Sequence, residues 1–371
     1  MSNSSPRSSA AIAQFQHAME SVYGDITTIA HPQRWNPPER SGGHRGRYLW
    51  TDAFGVINFI TLHKEATIPS PRAANNAYYL TLAHRLVETV HEVLGRTRDN
   101  NHRLPGATDD NPLGGGLRIG KIEDSGPDGD GQYHHYLTMW MFALNRLSVA
   151  TGNPLYNQQA VALAKAIHPR FFVNRQSEEP RMVWKMAMDL SGPLVASEGN
   201  LDPIDGYVVF RLLQAAASEA GLGAVLQEEI ADYRRVMQRK GEQFVSSDPL
   251  DLGMTLWTAH WFTENELWAS RLSGRCCEQI YNLFEVNRYL ERSVKYRLAF
   301  REFGACMGMR CMLNESRLQG YARQILDSWD VYMEKSLSAD ITRDDLRPIT
   351  RVMYATALLP GGTEPQPSVE E

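Results

Sequence analysis

Asp202-Pro-Ile-Asp-Gly-Tyr-Val-Val-Phe-Arg-Leu-Leu213 and Asp248-Pro-Leu-Asp-Leu-Gly-Met-Thr-Leu-Trp-Thr-Ala259 follow one plan: an acid, a proline, an apolar residue, a second acid, then a largely apolar run. Proline near a first helical turn costs little, because the N–H it lacks would have no intrahelical partner. Each stretch therefore predicts a helix start. Arg347-Pro-Ile-Thr-Arg-Val-Met-Tyr-Ala-Thr-Ala-Leu358 is a weaker echo, and Phe300 precedes a similar apolar helix. The equivalent positions are 205, 251, 300 and 350, a step of roughly 45–50 residues. Such a period marks stacked two-helix units.

Each unit holds two unlike helices. One is apolar nearly all round, as in Tyr136-Leu-Thr-Met-Trp-Met-Phe-Ala-Leu144; the other carries a single stripe, as with Leu226, Ile230, Tyr233 and Met237. A helix apolar on every side must be buried on every side, and one with a single stripe covers it from outside. Inner helices are predicted to start near 52, 134, 205, 251, 300 and 350, and outer ones near 10, 73, 155, 223, 276 and 318. The segment 97–131, with three prolines and Gly114-Gly115-Gly116, is predicted to be a long loop. Phe171-Phe-Val and Arg181-Met-Val-Trp-Lys-Met are read as a small β-hairpin within an irregular stretch, 171–200.

Of the 371 residues, 43% are apolar and 22% charged, with 38 basic against 43 acidic side chains and a net charge of −5. This composition fills a sizeable core. It gives no electrostatic footprint for nucleic acid or an anionic membrane, and no window is long and apolar enough to span a bilayer. Four cysteines, none in a CxxC pair, make neither a disulfide framework nor a zinc site and read as reduced, mostly buried thiols. The polar start lacks the apolar core of a secretory signal. The expected setting is cytoplasmic. The expected partner is a small molecule, with self-association compatible with this surface and no metal or other cofactor implied.

Six alternating inner–outer helix pairs over about residues 10–360 resemble the (α/α)6 toroid of six-hairpin glycosidase-like proteins. That superfamily holds glycoside hydrolases, unsaturated-uronide hydrolases and, in a close relative, N-acylglucosamine 2-epimerases. The resemblance implies an all-α, single-domain (α/α)6 toroid, with residues 1–9 and 361–371 as disordered tails. It also implies that loops before the inner helices open on one face around a central cleft.

Residues at those starts then become neighbours: Trp50 and Asp52, His134 and His135, Asp202 and Asp205, Asp248 and Asp251, Arg301 and Glu302, Arg347 and Arg351. Glycosidic chemistry needs a carboxylic acid to protonate the leaving oxygen and a carboxylate as base or nucleophile. Asp52, His134, His135, Asp205 and Asp251 are the candidate catalytic residues. Trp50, Arg301 and Glu302 are candidate substrate contacts, and Arg118 and Lys121 reach from the 97–131 loop toward an acidic substituent. Aspartate at a helix start is also a favoured N-cap, worth ~1 kcal/mol without any function, and this weighs most on Asp202 and Asp248.

Three patterns carry little. Gly115–Lys121 matches GxxxxGK, but Ile122 stands where a P-loop needs a hydroxyl. Trp257, Trp261 and Trp268 have core spacing, and no motif activates vicinal Cys276-Cys277. The expected function is hydrolysis of a glycosidic bond in a small saccharide. A sugar epimerase or isomerase using His134 or His135 is the runner-up, with a lyase or isomerase acting on a non-sugar metabolite beside it, and a non-catalytic helical-repeat binder is the alternative from another class.

Overall fold

The computed structural model describes residues 6–38, 47–65, 77–126, 129–334 and 346–361; the expected tails fall mostly outside them, and the first helix begins at Pro6. In chain order the helices are α1 (Pro6–Tyr23), α2 (Leu49–Glu65), α3 (Tyr78–Leu94), α4 (His134–Thr151), α5 (Leu155–Phe171) and α6 (Asp202–Glu219). They continue with α7 (Gln227–Val236), α8 (Pro249–Ala259), α9 (Leu267–Tyr281), α10 (Ala299–Cys311), α11 (Ser316–Glu334) and α12 (Arg347–Leu358).

The even-numbered helices form the inner ring. Each packs on the next, and α12 packs on α2, so the ring closes. The seam is polar and buried: Asn58 Nδ2 of α2 donates to the Val352 carbonyl (2.9 Å), and the Thr356 hydroxyl of α12 donates to Asn58 Oδ1 (2.8 Å). Both groups are fully satisfied, so the junction is specified rather than merely apolar. The odd-numbered helices lie outside. In α3, Leu82, Leu86, Val90 and Leu94 form the buried stripe, whereas α4 buries nearly every residue from Leu137 to Leu147. The two sequence patterns thus separate into two layers: the fold is an all-α (α/α)6 toroid.

Inner helices approach most closely where glycine removes side chains. A Cβ on Gly253 of α8 would lie 2.1 Å from the Gly304 carbonyl oxygen of α10. Among the described residues, four two-residue strands pair two by two. The hairpin β2 (Phe172–Val173) with β3 (Arg181–Met182) forms where expected. A second antiparallel pair, β1 (Gln132–Tyr133) with β4 (Lys185–Met186), ties the end of the long loop to the irregular stretch after α5. Two-residue strands leave no periodic trace in a sequence. Among the described residues no helix is long and apolar enough to cross a membrane.

Candidate active site

The inner helices begin at one end of the ring, around a cavity of about 610 Å³. Every one of them contributes wall: Trp50 from α2, His135 and Tyr136 from α4, Asp202 from α6, Asp251 from α8, Arg301 from α10, Ile349 and Met353 from α12. Lys121 reaches in from the long loop, and Trp184, Glu198 and Asn200 from the stretch behind β3.

Adjacent histidines of α4 each face one acid of Asp202-Pro-Ile-Asp205. The His135 Nδ1 lies 2.8 Å from Asp205 Oδ2, and Asp205 Oδ1 accepts from the Thr258 hydroxyl of α8 (2.9 Å). A carboxylate can only accept, so Nδ1 carries the proton and Nε2 is left as the basic nitrogen. The ring sits edge-on to Trp50, centroids 3.7 Å apart. His135 is thus fixed in tautomer and orientation at the cavity wall.

His134 is fully buried behind that wall. Its Nε2 is 2.6 Å from the Tyr233 hydroxyl of α7 and its Nδ1 3.3 Å from Asp202 Oδ1. Burial, reinforced by the Asp202 charge, holds the Tyr233 phenol well above its ordinary range, so this hydroxyl stays protonated and donates to Nε2. The Nδ1 proton then faces Asp202. That approach is out of line for a hydrogen bond, and both atoms lack any other partner, so the contact is electrostatic. Tyr233 fits because residue 206 of α6 has no side chain: a Cβ there would lie 2.1 Å from the Tyr233 ring.

The second acid pair is arranged otherwise. Asp248 caps α8, its Oδ1 accepting from the amides of Leu250 (2.9 Å) and Asp251 (3.4 Å), and its Oδ2 pairs with Arg301 Nη1 at 2.6 Å. Asp251 lines the cavity and accepts at Oδ2 from Asn200 Nδ2 (3.1 Å) and the Ser246 hydroxyl (2.9 Å).

Of the expected site residues, the structure gathers Trp50, Lys121, His135, Asp251 and Arg301 on the cavity wall, with Asp205 directly behind His135. It does not bring Asp52 there. Asp52 is fully buried and accepts from Arg47 Nε (3.1 Å) and the Tyr23 hydroxyl (3.0 Å), bracing α2 against α1. Glu302 is equally buried, bound to Arg297 through Nε (2.7 Å) and Nη2 (2.5 Å) and to Trp329 Nε1 (2.8 Å). Arg118 is buried too, holding Asp130 (3.1 Å) and the carbonyls of Arg96 and Val93. These three acts of bracing use up the groups that substrate contact would need.

Tyr48, Tyr133, Tyr136, Trp184, Glu198 and Asn200 line the cavity without having been singled out in the sequence. Tyr133 and Tyr136 flank the histidine pair and are legible once α4 is known to open on the mouth. Trp184 is placed by the β1–β4 pairing, for which the sequence carries no signal, and Glu198 by its ion pair with Arg239. Vicinal Cys276 and Cys277 are buried, and burial pushes their thiols up to about 12 and about 11, as packed rather than reactive cysteines require. Among the described residues no cluster of three or more His, Cys, Asp or Glu has the makings of a metal site.

The architecture defines the class: a six-hairpin (α/α)6 toroid with its cavity at the inner-helix N-termini. Solved structures with this fold include a family 76 glycoside hydrolase from a bovine Bacteroides thetaiotaomicron strain, at TM-score 0.59 and 12% identity over 94% of this chain and 77% of that one. A family 76 mannosidase from Bacteroides thetaiotaomicron VPI-5482 superposes at 0.57 with 10% identity, covering 95% of this chain and 98% of its own. A family 76 α-mannanase from Bacteroides thetaiotaomicron superposes at 0.56 with 8% identity, covering 96% of each chain. No model of a known protein family and no curated protein sequence matches the chain.

Proposed function

We propose that the chain is a carbohydrate-active enzyme that hydrolyses a glycosidic bond in this cavity. One observation carries the reading: Asp202 and Asp251 line the same cavity as Trp50, Tyr136 and Trp184. Aromatic faces stack on the apolar faces of a pyranose, and two carboxyl groups supply what the bond cleavage needs. One delivers a proton to the leaving oxygen as the glycosidic C–O bond breaks; the other directs attack at the anomeric carbon, taking the proton of a water or forming the covalent intermediate that water then releases. Asp251, already accepting two hydrogen bonds at Oδ2, retains Oδ1 for that acceptor role. Asp52, braced inside the ring, passes its expected part to these two. The toroid shared with family 76 glycoside hydrolases supports the reading at the level of fold.

The His135–Asp205 pair favours a second reading. An imidazole with Nδ1 pinned and Nε2 basic suits removal of a proton beside a carbonyl, as in a sugar epimerase or isomerase. One experiment separates the two. The protein is incubated in heavy water with a panel of aryl and methyl glycosides, disaccharides and free aldoses, and followed by NMR. Release of a new reducing end, lost in Asp202→Asn and Asp251→Asn, is the expected result. Deuterium entering the carbon next to the carbonyl of a free sugar, with no glycoside cleaved, overturns hydrolysis in favour of the second reading.

A further inference from the structure

The cavity wall is divided by charge around the ring. Its acids, Asp202, Asp251 and Glu198, come from the α6–α8 side. Its two cations among the described residues stand on the other arc: Arg301 at the start of α10, and Lys121 beside Tyr48 at the start of α2. Between them lies α12, whose lining among the described residues, Leu346, Ile349 and Met353, carries no charge.

The charges differ in how far they are already answered. Glu198 is bound by Arg239, Asp251 by Asn200 and Ser246, and Arg301 by Asp248. Lys121 has no carboxylate partner among the described residues; its Nζ rests 4.4 Å over the Tyr48 ring. Nor is it a loosely hung surface lysine. Buried Asp130 accepts at Oδ1 from the amides of Gly120 (2.9 Å), Lys121 (3.3 Å) and Gly131 (3.0 Å), and at Oδ2 from Arg98 (3.0 Å) and Arg118 (3.1 Å). Five donors on one carboxylate lock the backbone at the end of the loop, and the Tyr48 ring keeps the ammonium beside the wall before anything binds. Preorganisation of this kind lowers the ordering cost of a contact.

Resting on the saccharide reading of the cavity, we infer that the substrate is a sugar carrying an anionic substituent, a carboxylate or a phosphate ester. Lys121 receives that anion. The charge thereby sets the direction of binding, because an anion repelled by the α6–α8 acids settles on the opposite arc and turns the glycosidic bond toward Asp202 and Asp251. Arg301, at the near side of α12, widens the positive arc without giving up its own partner.

The test compares matched probes by titration calorimetry on the full chain: methyl hexoside, the corresponding methyl hexuronide, and the hexose 6-phosphate, each at low and high salt. The expected result is binding of at least one anionic probe about tenfold tighter than the neutral one, with the advantage shrinking in salt. Lys121→Met brings the anionic-to-neutral ratio close to one, and Lys121→Arg restores most of it. The uronide and phosphate arms identify which anion is meant. Neutral and anionic probes binding equally, or a ratio indifferent to Lys121→Met, overturns this inference and leaves the saccharide reading intact. Failure of every sugar probe to bind overturns that reading, and this inference with it.

Discussion

The first acid of Asp202-Pro-Ile-Asp205 lies inside its helix, whereas the first acid of Asp248-Pro-Leu-Asp251 stands just outside and caps it. The backbone explains the shift. Leu201 already has helical angles (φ −91°, ψ −23°), so α6 begins one residue early, while Asp248 is extended (φ −83°, ψ 133°) and its carboxylate turns onto the amides behind it. The neighbour in the ring then decides the rest. Beside α6 stands α4 with two histidines, and both acids are drawn into buried pairs with them. Beside α8 stands α10 with Arg301, and Asp248 makes a half-exposed ion pair while Asp251 keeps the cavity. A motif repeated in sequence is therefore not a function repeated in space. Its surroundings assign capping to Asp248, bracing to Asp205, and a place on the cavity wall to Asp202 and Asp251.

The sharpest way to break this contrast is turnover. Asp202→Asn and Asp251→Asn are each expected to lower kcat about a thousandfold once a substrate is in hand, in line with loss of acid–base participation. Asp248→Asn, which keeps the cap acceptor and lies off the reacting centre, is expected to cost less than tenfold. Initial rates of the three variants decide it; equal losses would make the two motifs functionally alike.

Stability should rank the first acids the same way. Asp202→Ala strands the buried Nδ1 of His134 and leaves space beside it, a loss of about 3 kcal/mol. Urea unfolding measures this, and a double-mutant cycle with His134→Ala isolates the share that belongs to the pair. A loss no greater than that of Asp248→Ala would show the buried pair to be idle.

Acid should also cost stability on the α6 side. Burial pushes His168, which packs on Tyr233 behind α6, down to about 3 although Asp232 is 3.4 Å away. With the folded pKa below the ordinary 6.5, the unfolded chain takes up the proton first. This group's contribution is then complete above pH 6.5 and lost as pH falls toward 3, by about 1.4 kcal/mol per pH unit in between. Urea midpoints at pH 7, 6 and 5 test the sign, and His168→Gln should flatten the slope by one proton's worth.

The ring was legible because its two helix types differ in every turn: all-round apolarity and a single stripe both survive in one-dimensional order. The mouth was legible to the level of the helix start and no further. At about 100° per residue, a helix turned by one position exchanges one neighbour for the next. Thus Trp50 faces the cavity and Asp52 faces α1; His135 faces in and His134 out; Arg301 lines the wall and Glu302 is buried against Arg297 and Trp329. Composition does not set that rotation. It is set by outer-layer partners such as Tyr23, Tyr233 and Trp329, each far from its acid or imidazole in sequence. Only the assembled core chooses which member of each pair meets the substrate.

The smallest effect is also the most exacting about Asp248, because the cap and the ion pair can be separated there. Asp248→Ala removes both and is expected to cost about 1 kcal/mol, the usual worth of an N-cap. Asp248→Asn keeps an oxygen for the Leu250 and Asp251 amides and loses only the charge opposite Arg301. Those two side chains are 33% and 38% exposed, so solvent screens the pair and its loss should be a few tenths of a kcal/mol. Urea unfolding at low and high salt distinguishes the parts: the alanine deficit should persist in salt, and the asparagine deficit should vanish. An asparagine variant as unstable as alanine would mean that Arg301, not the helix end, is what Asp248 serves, and the α8 motif would then be a charge clamp like its α6 counterpart.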